Sequence, residues 1–420
     1  VNDTFRNKGD YIMEFNSPKA VKSVSLLVLL LSTFCGIIVA NLYYAQPLVR
    51  MISADIGIAS GTAGFIVTLT QLGYAAGLLF LVPLSDLFEN IKLVSIILLI
   101  AVLGLLTAAF STNAYIFLFA AFIIGIGAVA TQILVPYSSF LFPPEQRGQM
   151  VGKVMSGVLL GIMLARPISS MVADLWGWRS IFIISAVVTG SLILLLGRLF
   201  PIRKPQSEES YPIMIQSLWY HICHTTILRR RALYQACLFG SFSLFWTVVP
   251  MWLTQHYHFT QKGVAIFALV GVTGAVAAPI AGRLADLGWS KVITGIAFVI
   301  ASFSYASTLL FENNQTISLV ILMIAAILLD MCVSGNLVLG QQAIYTLGDK
   351  IRGRVNGLFM AVFFLGGAVG SSVGGWAYAT GGWKAAVAIG FTLPLLAFAY
   401  YLTEGKPATQ LTPEEDAAKR

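Results

Sequence analysis

The feature that most constrains this chain is the recurrence of apolar stretches, each about twenty residues or longer and almost free of charge. At about 1.5 Å per residue, a helix of that length crosses a ~30 Å hydrocarbon core. Of the 420 residues 57% are hydrophobic and 10% charged, where a soluble domain carries roughly 25% charged residues. Twelve such spans fall at 24–44, 60–84, 91–111, 114–142, 147–175, 179–200, 232–255, 262–285, 290–311, 316–346, 352–379 and 383–403. The strands of a membrane barrel would alternate apolar and polar residues over about ten positions, and these runs do not alternate. The expected fold class is therefore all-α, a polytopic membrane protein of twelve transmembrane helices.

Lysine and arginine favour the cytoplasmic side of a membrane. With both termini cytoplasmic, only Arg50, Arg179, Lys262 and Lys384 fall in outer segments, while Lys153 and Arg166 lie within the fifth span. The net charge of +8 is thus a topology signal that calls for no nucleic acid. The first apolar segment ends in "IVANLYYAQPL", which lacks the small-residue cleavage pattern of a secretory signal and is expected to stay in the mature protein. Cys35, Cys223, Cys237 and Cys332 show no paired or metal-ligand spacing and read as free, buried thiols. No metal or cofactor is called for. The expected site is an integral membrane location, the bacterial inner membrane.

The expected organisation is a cytoplasmic segment 1–23, a six-helix bundle 24–200, a cytoplasmic linker 201–231, a second six-helix bundle 232–403 and a cytoplasmic tail 404–420. In the linker Ile215, Leu218, Trp219 and Ile222 recur at helical spacing, so a short helix could lay that face on the inner leaflet; the alternative is a charged loop. The two bundles look homologous. "VPLSDLFENIK" with Asp86 faces "AGRLADLGWSK" with Asp286, "RGQMVG" at 147–152 faces "RGRVNG" at 352–357, and "GWR" at 177–179 faces "GWK" at 382–384. Repetition of this kind marks two pseudo-symmetric halves.

These motifs resemble those of the major facilitator superfamily across nearly the whole chain. "GRLADLGWSK" (282–291) is similar to the family's loop signature, whereas the first copy has Leu87 where an arginine is usual and Glu89 where a glycine is usual. Asp86, Asp286 and Arg283 are expected to act as conformational latches at the cytoplasmic loops. In the eleventh span Gly357, Gly366, Gly370, Gly374 and Gly375 follow the spacing of the superfamily's antiporter motif, and the fifth span repeats the frame with Gly152, Gly161, Ala165, Arg166 and Pro167. Small residues at such spacing let helices approach closely. The resemblance places Gly161, Gly366 and Gly370 at the gate between the bundles.

Arg166 stands where the motif has proline. An arginine within a span costs roughly 2.5 to 3.5 kcal/mol on insertion scales and calls for a partner or a wet cavity. The carboxylate near mid-membrane is Asp330 of the tenth span, since Asp174 lies near the outer end of the fifth. Arg166 is about nine residues deep and Asp330 about fourteen, a difference of roughly 8 Å that a long arginine could nearly close. The resemblance makes the fifth and tenth spans neighbours, so an intramembrane charge pair is expected, with Asp330 as the proton carrier. A nearby cation favours the ionised carboxylate while desolvation favours the neutral acid, a balance suited to proton binding and release. The alternative is that Arg166 snorkels outward and Asp330 is a structural hydrogen-bond acceptor.

Polar and aromatic residues outline a substrate cavity: Tyr43, Gln46, Gln71, Tyr137, Trp252 and Gln342, and with more weight Asn41, Tyr44, Gln132, Trp246, Asn336 and Gln341. "GIGAVA" (125–130) and "GQMVGKV" (148–154) mimic nucleotide-binding loops on paper, but the first lies inside a span and the second lacks its Ser/Thr. The chain is therefore not expected to be an enzyme. The resemblance implies a monomeric, proton-coupled secondary transporter that exports a small organic molecule, a drug-like amphiphile, sugar or metabolite, by alternating access. Its partners are the substrate, protons and the lipid bilayer. The alternative is a proton symporter for uptake.

Overall fold

In hydrocarbon every backbone N–H and C=O must be satisfied within the chain, so apolar runs of this length become helices. A computed structural model of the protein describes residues 18–142, 146–203, 205, 209–310, 314–348 and 351–404. Within these the regular elements are all helical. The expected N-terminal segment up to residue 17 and the tail from 405 lie outside the described residues.

In the first half the helices are α1 (Pro18–Ala40), α2 (Val49–Ile56), α3 (Phe65–Phe80), α4 (Asn90–Ala109), α5 (Ala114–Ala128), α6 (Ala130–Phe140), α7 (Arg147–Trp176) and α8 (Arg179–Leu199). α9 (Tyr211–His224) lies in the linker, followed by α10 (Thr226–His256), α11 (Gln261–Ala268), α12 (Ala277–Asp286), α13 (Ser290–Ser307), α14 (Gln315–Tyr345) and α15 (Arg352–Leu402). Among the described residues nine helices are long and apolar enough to cross a membrane, and Leu26–Ala40 and Gln261–Gly271 are shorter apolar helices. α15 is 51 residues long but broken at Gly382. Each of the twelve expected spans thus overlaps helix among the described residues.

Local chemistry sets the helix ends. The side chains of Asn113 and Asn314 accept from the backbone N–H groups of Ile116 (3.0 Å) and Ile317 (3.1 Å), capping α5 and α14. The repeated "GW" turns share a backbone as well as a sequence. Gly177 has φ 79° and ψ 160°, and Gly382 has φ 64° and ψ −156°, a region open essentially to glycine alone. Two features were not expected from the sequence. α2 folds between the first two spans, and the eighth span is interrupted, its middle wound as a 3-10 helix over Leu269–Val276.

α1 packs on α7, α4 on α5 and α8, and α3 on α5; in the second half α10 packs on α15, and α14 on α12 and α13. Across the halves α3 meets α15 and α7 meets α11. α10 has 89% of its apolar window buried, against 39% for α7, which puts α10 at the centre of the molecule. Large apolar side chains such as Leu103, Phe119 and Leu194 are exposed, as expected of surfaces solvated by lipid tails.

The linker ties down one end of the molecule. The Tyr137 hydroxyl donates to the Pro201 carbonyl (2.6 Å), the Tyr211 hydroxyl donates to the Phe80 carbonyl (3.0 Å), and Arg354 pairs with Glu209. α9 turns Met214 and Leu218 inward with Ile215 and Ile222 beside the core, while Trp219 is 72% exposed. The face expected to lie on lipid therefore packs largely on protein. Burial, and then the charge of Arg354, hold the His221 imidazole below its ordinary value. At the opposite, far end the Trp178 indole donates to Asp55 (3.2 Å) and Arg179 pairs with it, and the hydrogen bond from Arg179 holds the Asp55 carboxyl below its ordinary range. The four cysteines are free as expected, but Cys223 is exposed and Cys237 half-buried rather than buried.

Candidate functional site

α7 carries Arg166 immediately before Pro167, and its side chain is 3% exposed. Its Nε donates to Oε1 of Gln46 at 2.8 Å. Three rings surround the guanidinium carbon: Trp246 at 4.5 Å, Phe242 at 5.0 Å and Tyr43 at 5.2 Å from the ring centroids. Contacts of this kind are worth about 2 kcal/mol or more when desolvated, enough to offset much of the cost of burying the charge.

Asp330 is 4% exposed. Its Oδ1 accepts from the Trp246 indole N–H at 2.9 Å. The interrupted eighth span forms a cradle behind it. A Cβ at Gly271 would stand 2.6 Å from Asp330 Oδ2, and one at Gly274 would stand 2.4 Å from Asp330 Cβ. Glycine is what allows that backbone to approach.

The expected direct Arg166–Asp330 pair is not formed. Among the described residues Arg166 binds Gln46 and Asp330 binds Trp246, so the indole joins the two charges, its face toward the cation and its N–H toward the anion. The offset in depth along the two helices is bridged by the breadth of a tryptophan rather than the length of an arginine. Two donors of this cluster, Arg166 Nη2 and Gln46 Nε2, are buried without a hydrogen-bond partner.

The halves also meet on polar groups. Gln71 Nε2 donates to Ser243 Oγ (2.8 Å), the Thr68 and Ser371 hydroxyls are 2.8 Å apart, and Thr68 donates to the Ala368 carbonyl (3.1 Å). Gln132 Nε2 donates to the Tyr74 hydroxyl (2.9 Å), and the Tyr74 ring packs on Phe364 at 4.3 Å. Toward the far end a Cβ at Gly64 would stand 2.2 Å from the Ser371 carbonyl oxygen, and one at Gly375 would stand 2.9 Å from the Gly64 nitrogen. The two backbones are in contact and the far-end seam is closed.

Other expected site residues lie within one half. Asn41 accepts from Ser185 Oγ (2.5 Å) and donates to the Ile38 carbonyl (3.1 Å), and Tyr44 is buried nearby in the chain. Asn336 donates to Gln235 Oε1 (2.7 Å) and Gln341 to Asn356 Oδ1 (3.1 Å). These pairs hold Asn41, Asn336 and Gln341 to neighbours within their own half. Asp286 accepts from Gln342 (3.4 Å), while Asp86 and Arg283 are exposed. The glycines expected at the gate also pack within halves: a Cβ at Gly161 would stand 2.2 Å from the Gly36 oxygen, at Gly366 2.2 Å from the Ala236 oxygen, and at Gly370 1.9 Å from the Gly240 oxygen. The seam between halves uses Gly64, Thr68 and Ser371, together with Gly375 of the eleventh-span glycine pattern. Gln46 and Tyr43 carried little weight in the sequence, where only their polarity near the end of the first span marked them. Among the described residues no cluster of His, Cys, Asp or Glu has the makings of a metal site.

The sequence matches the model of the Major Facilitator Superfamily over residues 28–327 and again over 231–420. It is 36% identical over 371 residues to an uncharacterized transporter, YgaY, of Escherichia coli O157:H7, covering 88% of this chain and 93% of that one. Over 257 residues it is 24% identical to a chloramphenicol efflux pump of Mycobacterium tuberculosis, covering 59% of this chain and 60% of the pump. In structure it is similar to a bacterial homolog of the human lysosomal transporter Spinster in an inward-facing, occupied conformation, with a TM-score of 0.73, 15% identity and coverage of 92% and 99%. That likeness concerns the fold alone.

Proposed function

The chain belongs to the Major Facilitator Superfamily, integral membrane transporters of small molecules and not enzymes, and on that premise we propose that it is a proton-coupled exporter working by alternating access. The observation that carries this reading is the buried Asp330–Trp246–Arg166 relay across the interface between the halves. Asp330 is the proton carrier. While it is ionised, the indole N–H and the Arg166 charge compensate it. Once it is protonated, Arg166 is left as a cation without a counter-charge in a dry site, which is strongly unfavourable. Opening the interface and hydrating the guanidinium relieves that cost, so protonation favours a change of state. The family relative named as a chloramphenicol efflux pump supports export, as does the glycine pattern of the eleventh span.

The energy suffices. One charge crossing 100 mV supplies about 2.3 kcal/mol, enough for more than tenfold accumulation of a neutral solute at about 1.4 kcal/mol per decade. In this reading the protein works as a monomer in a bacterial inner membrane with both termini inside, and Asp86, Asp286 and Arg283 steady the linker-end loops.

Proteoliposomes loaded with a pH-sensitive dye test the proposal, using chloramphenicol, sugars and amino acids as substrates. Wild type is expected to move protons against a substrate, and Asp330→Asn to lose that movement while still binding the substrate. Equal responses from the two proteins would refute Asp330 as the carrier. Proton and substrate moving in the same direction would replace export with uptake symport.

A further inference from the structure

Two buried donors in the charge cluster have no acceptor, Arg166 Nη2 and Gln46 Nε2. Their side chains are 3% and 1% exposed, so water at the surface does not satisfy them. Each such orphan carries a desolvation penalty that a buried site ordinarily avoids. The two are also neighbours. In a guanidinium the Nε and Nη2 hydrogens point from the same edge, and here Nε already donates to Oε1 of Gln46 at 2.8 Å. The edge that holds the Gln46 oxygen therefore offers Nη2 beside it, and the same amide offers Nε2.

Donors alone call for an acceptor; the charges around them say which kind. The cluster holds one cation, Arg166, and one anion, Asp330, joined by Trp246. With Asp330 ionised the site is neutral, and a charged ligand would leave net charge in a low-dielectric interior. The rings of Tyr43, Phe242 and Trp246 pack around the guanidinium, so a molecule that reaches Nη2 meets apolar, aromatic surroundings. Cationic amphiphiles are disfavoured by Arg166 itself.

We propose that this site takes an uncharged molecule with a carbonyl or hydroxyl oxygen, held by Arg166 Nη2 and Gln46 Nε2 with an aromatic or other flat apolar group against the adjacent rings. The inference rests on the transport reading for its purpose, but its test does not need a proton gradient.

The experiment is equilibrium binding by isothermal titration to the full-length protein in lipid nanodiscs. The probes are a panel of aryl-alkyl bodies, each supplied as a matched amide, carboxylate and amine, such as 4-phenylbutanamide, 4-phenylbutyrate and 4-phenylbutylamine. The amides are expected to bind tightest in the wild type. Gln46→Leu, which removes one donor, should weaken the amides about fivefold, and Arg166→Lys, which keeps the charge but loses the edge, about tenfold or more. Preference for the carboxylates or the amines overturns the proposal. So does binding of no member of the panel at millimolar concentration, or amide binding that both variants leave unchanged. The ranking within the wild type stands even if a variant fails to fold. A wrong ranking with intact proton flux condemns the ligand class alone, whereas a right ranking with Asp330→Asn still coupling condemns the transport mechanism alone.

Discussion

Trp246 serves two charges with one ring, and the two services are separable. Phenylalanine in its place keeps an aromatic face for Arg166 but has no N–H for Asp330. A hydrogen bond to a charged group is worth about 1.5–3 kcal/mol, so a double-mutant cycle of Trp246→Phe with Asp330→Ala should show a coupling of that size in apparent thermal stability. A coupling below about 0.5 kcal/mol, the usual scatter between independent sites, would mean that the indole and the carboxylate do not support each other. At this scale the sequence announced the charges, because Arg166 and Asp330 interrupt apolar runs and any such interruption is costly. It did not announce their partners. Gln46 and Tyr43 lie at the end of the first span, Phe242 and Trp246 on α10, and which of them meets Arg166 depends on the depth and rotation of three helices that no local pattern encodes. A depth difference of about 8 Å suggested a long arginine reaching its carboxylate; a wide ring joining two shorter reaches was equally open to the chain.

Among the elements, the repeated turns are the most legible and the eighth span the least. "GWR" and "GWK" stand 205 residues apart and put Gly177 and Gly382 in the same glycine-only backbone region. Gly382→Ala should therefore destabilise the protein by about 1–3 kcal/mol, read as a lower unfolding temperature in detergent, although a Cβ there meets no neighbouring atom. An unchanged unfolding temperature would show that the turn relaxes freely. The eighth span reads as continuous helix because hydropathy is blind to winding. Its 3-10 segment, Leu269–Val276, follows from a tertiary demand instead: Gly271 and Gly274 must pass close to the Asp330 side chain. In the linker helix the spacing of apolar residues was visible, but the surface they would face, protein or lipid, was not, since both reward the same periodicity.

For the whole molecule, the glycine patterns were legible as close approaches, but their members divide: Gly375 falls where the halves meet, and the three glycines expected at the gate do not. Gly161, Gly366 and Gly370 knit helices within each half, whereas the meeting of the halves at the far end falls to Gly64, Thr68, Ser371 and Gly375. Packing motifs report that backbones touch, not which pair. Because the atom nearest a Cβ at Gly64 is a backbone oxygen, 2.2 Å away, no rotamer change can make room for one, and Gly64→Ala should wedge the far end open. Spin labels at Ala59→Cys and Ala379→Cys in a cysteine-free background should move to longer separations with that substitution; an unaltered distance distribution would show that the seam is not where the halves part. A seam built from main chain and two hydroxyls has one more property. Long side chains would have to be frozen at each closure, at a cost of up to about 2 kcal/mol apiece, and freed again at each opening. Here almost nothing has to be frozen, so the seam sets no tempo of its own, and on the proposed cycle the clock is the arrival and departure of the proton at Asp330.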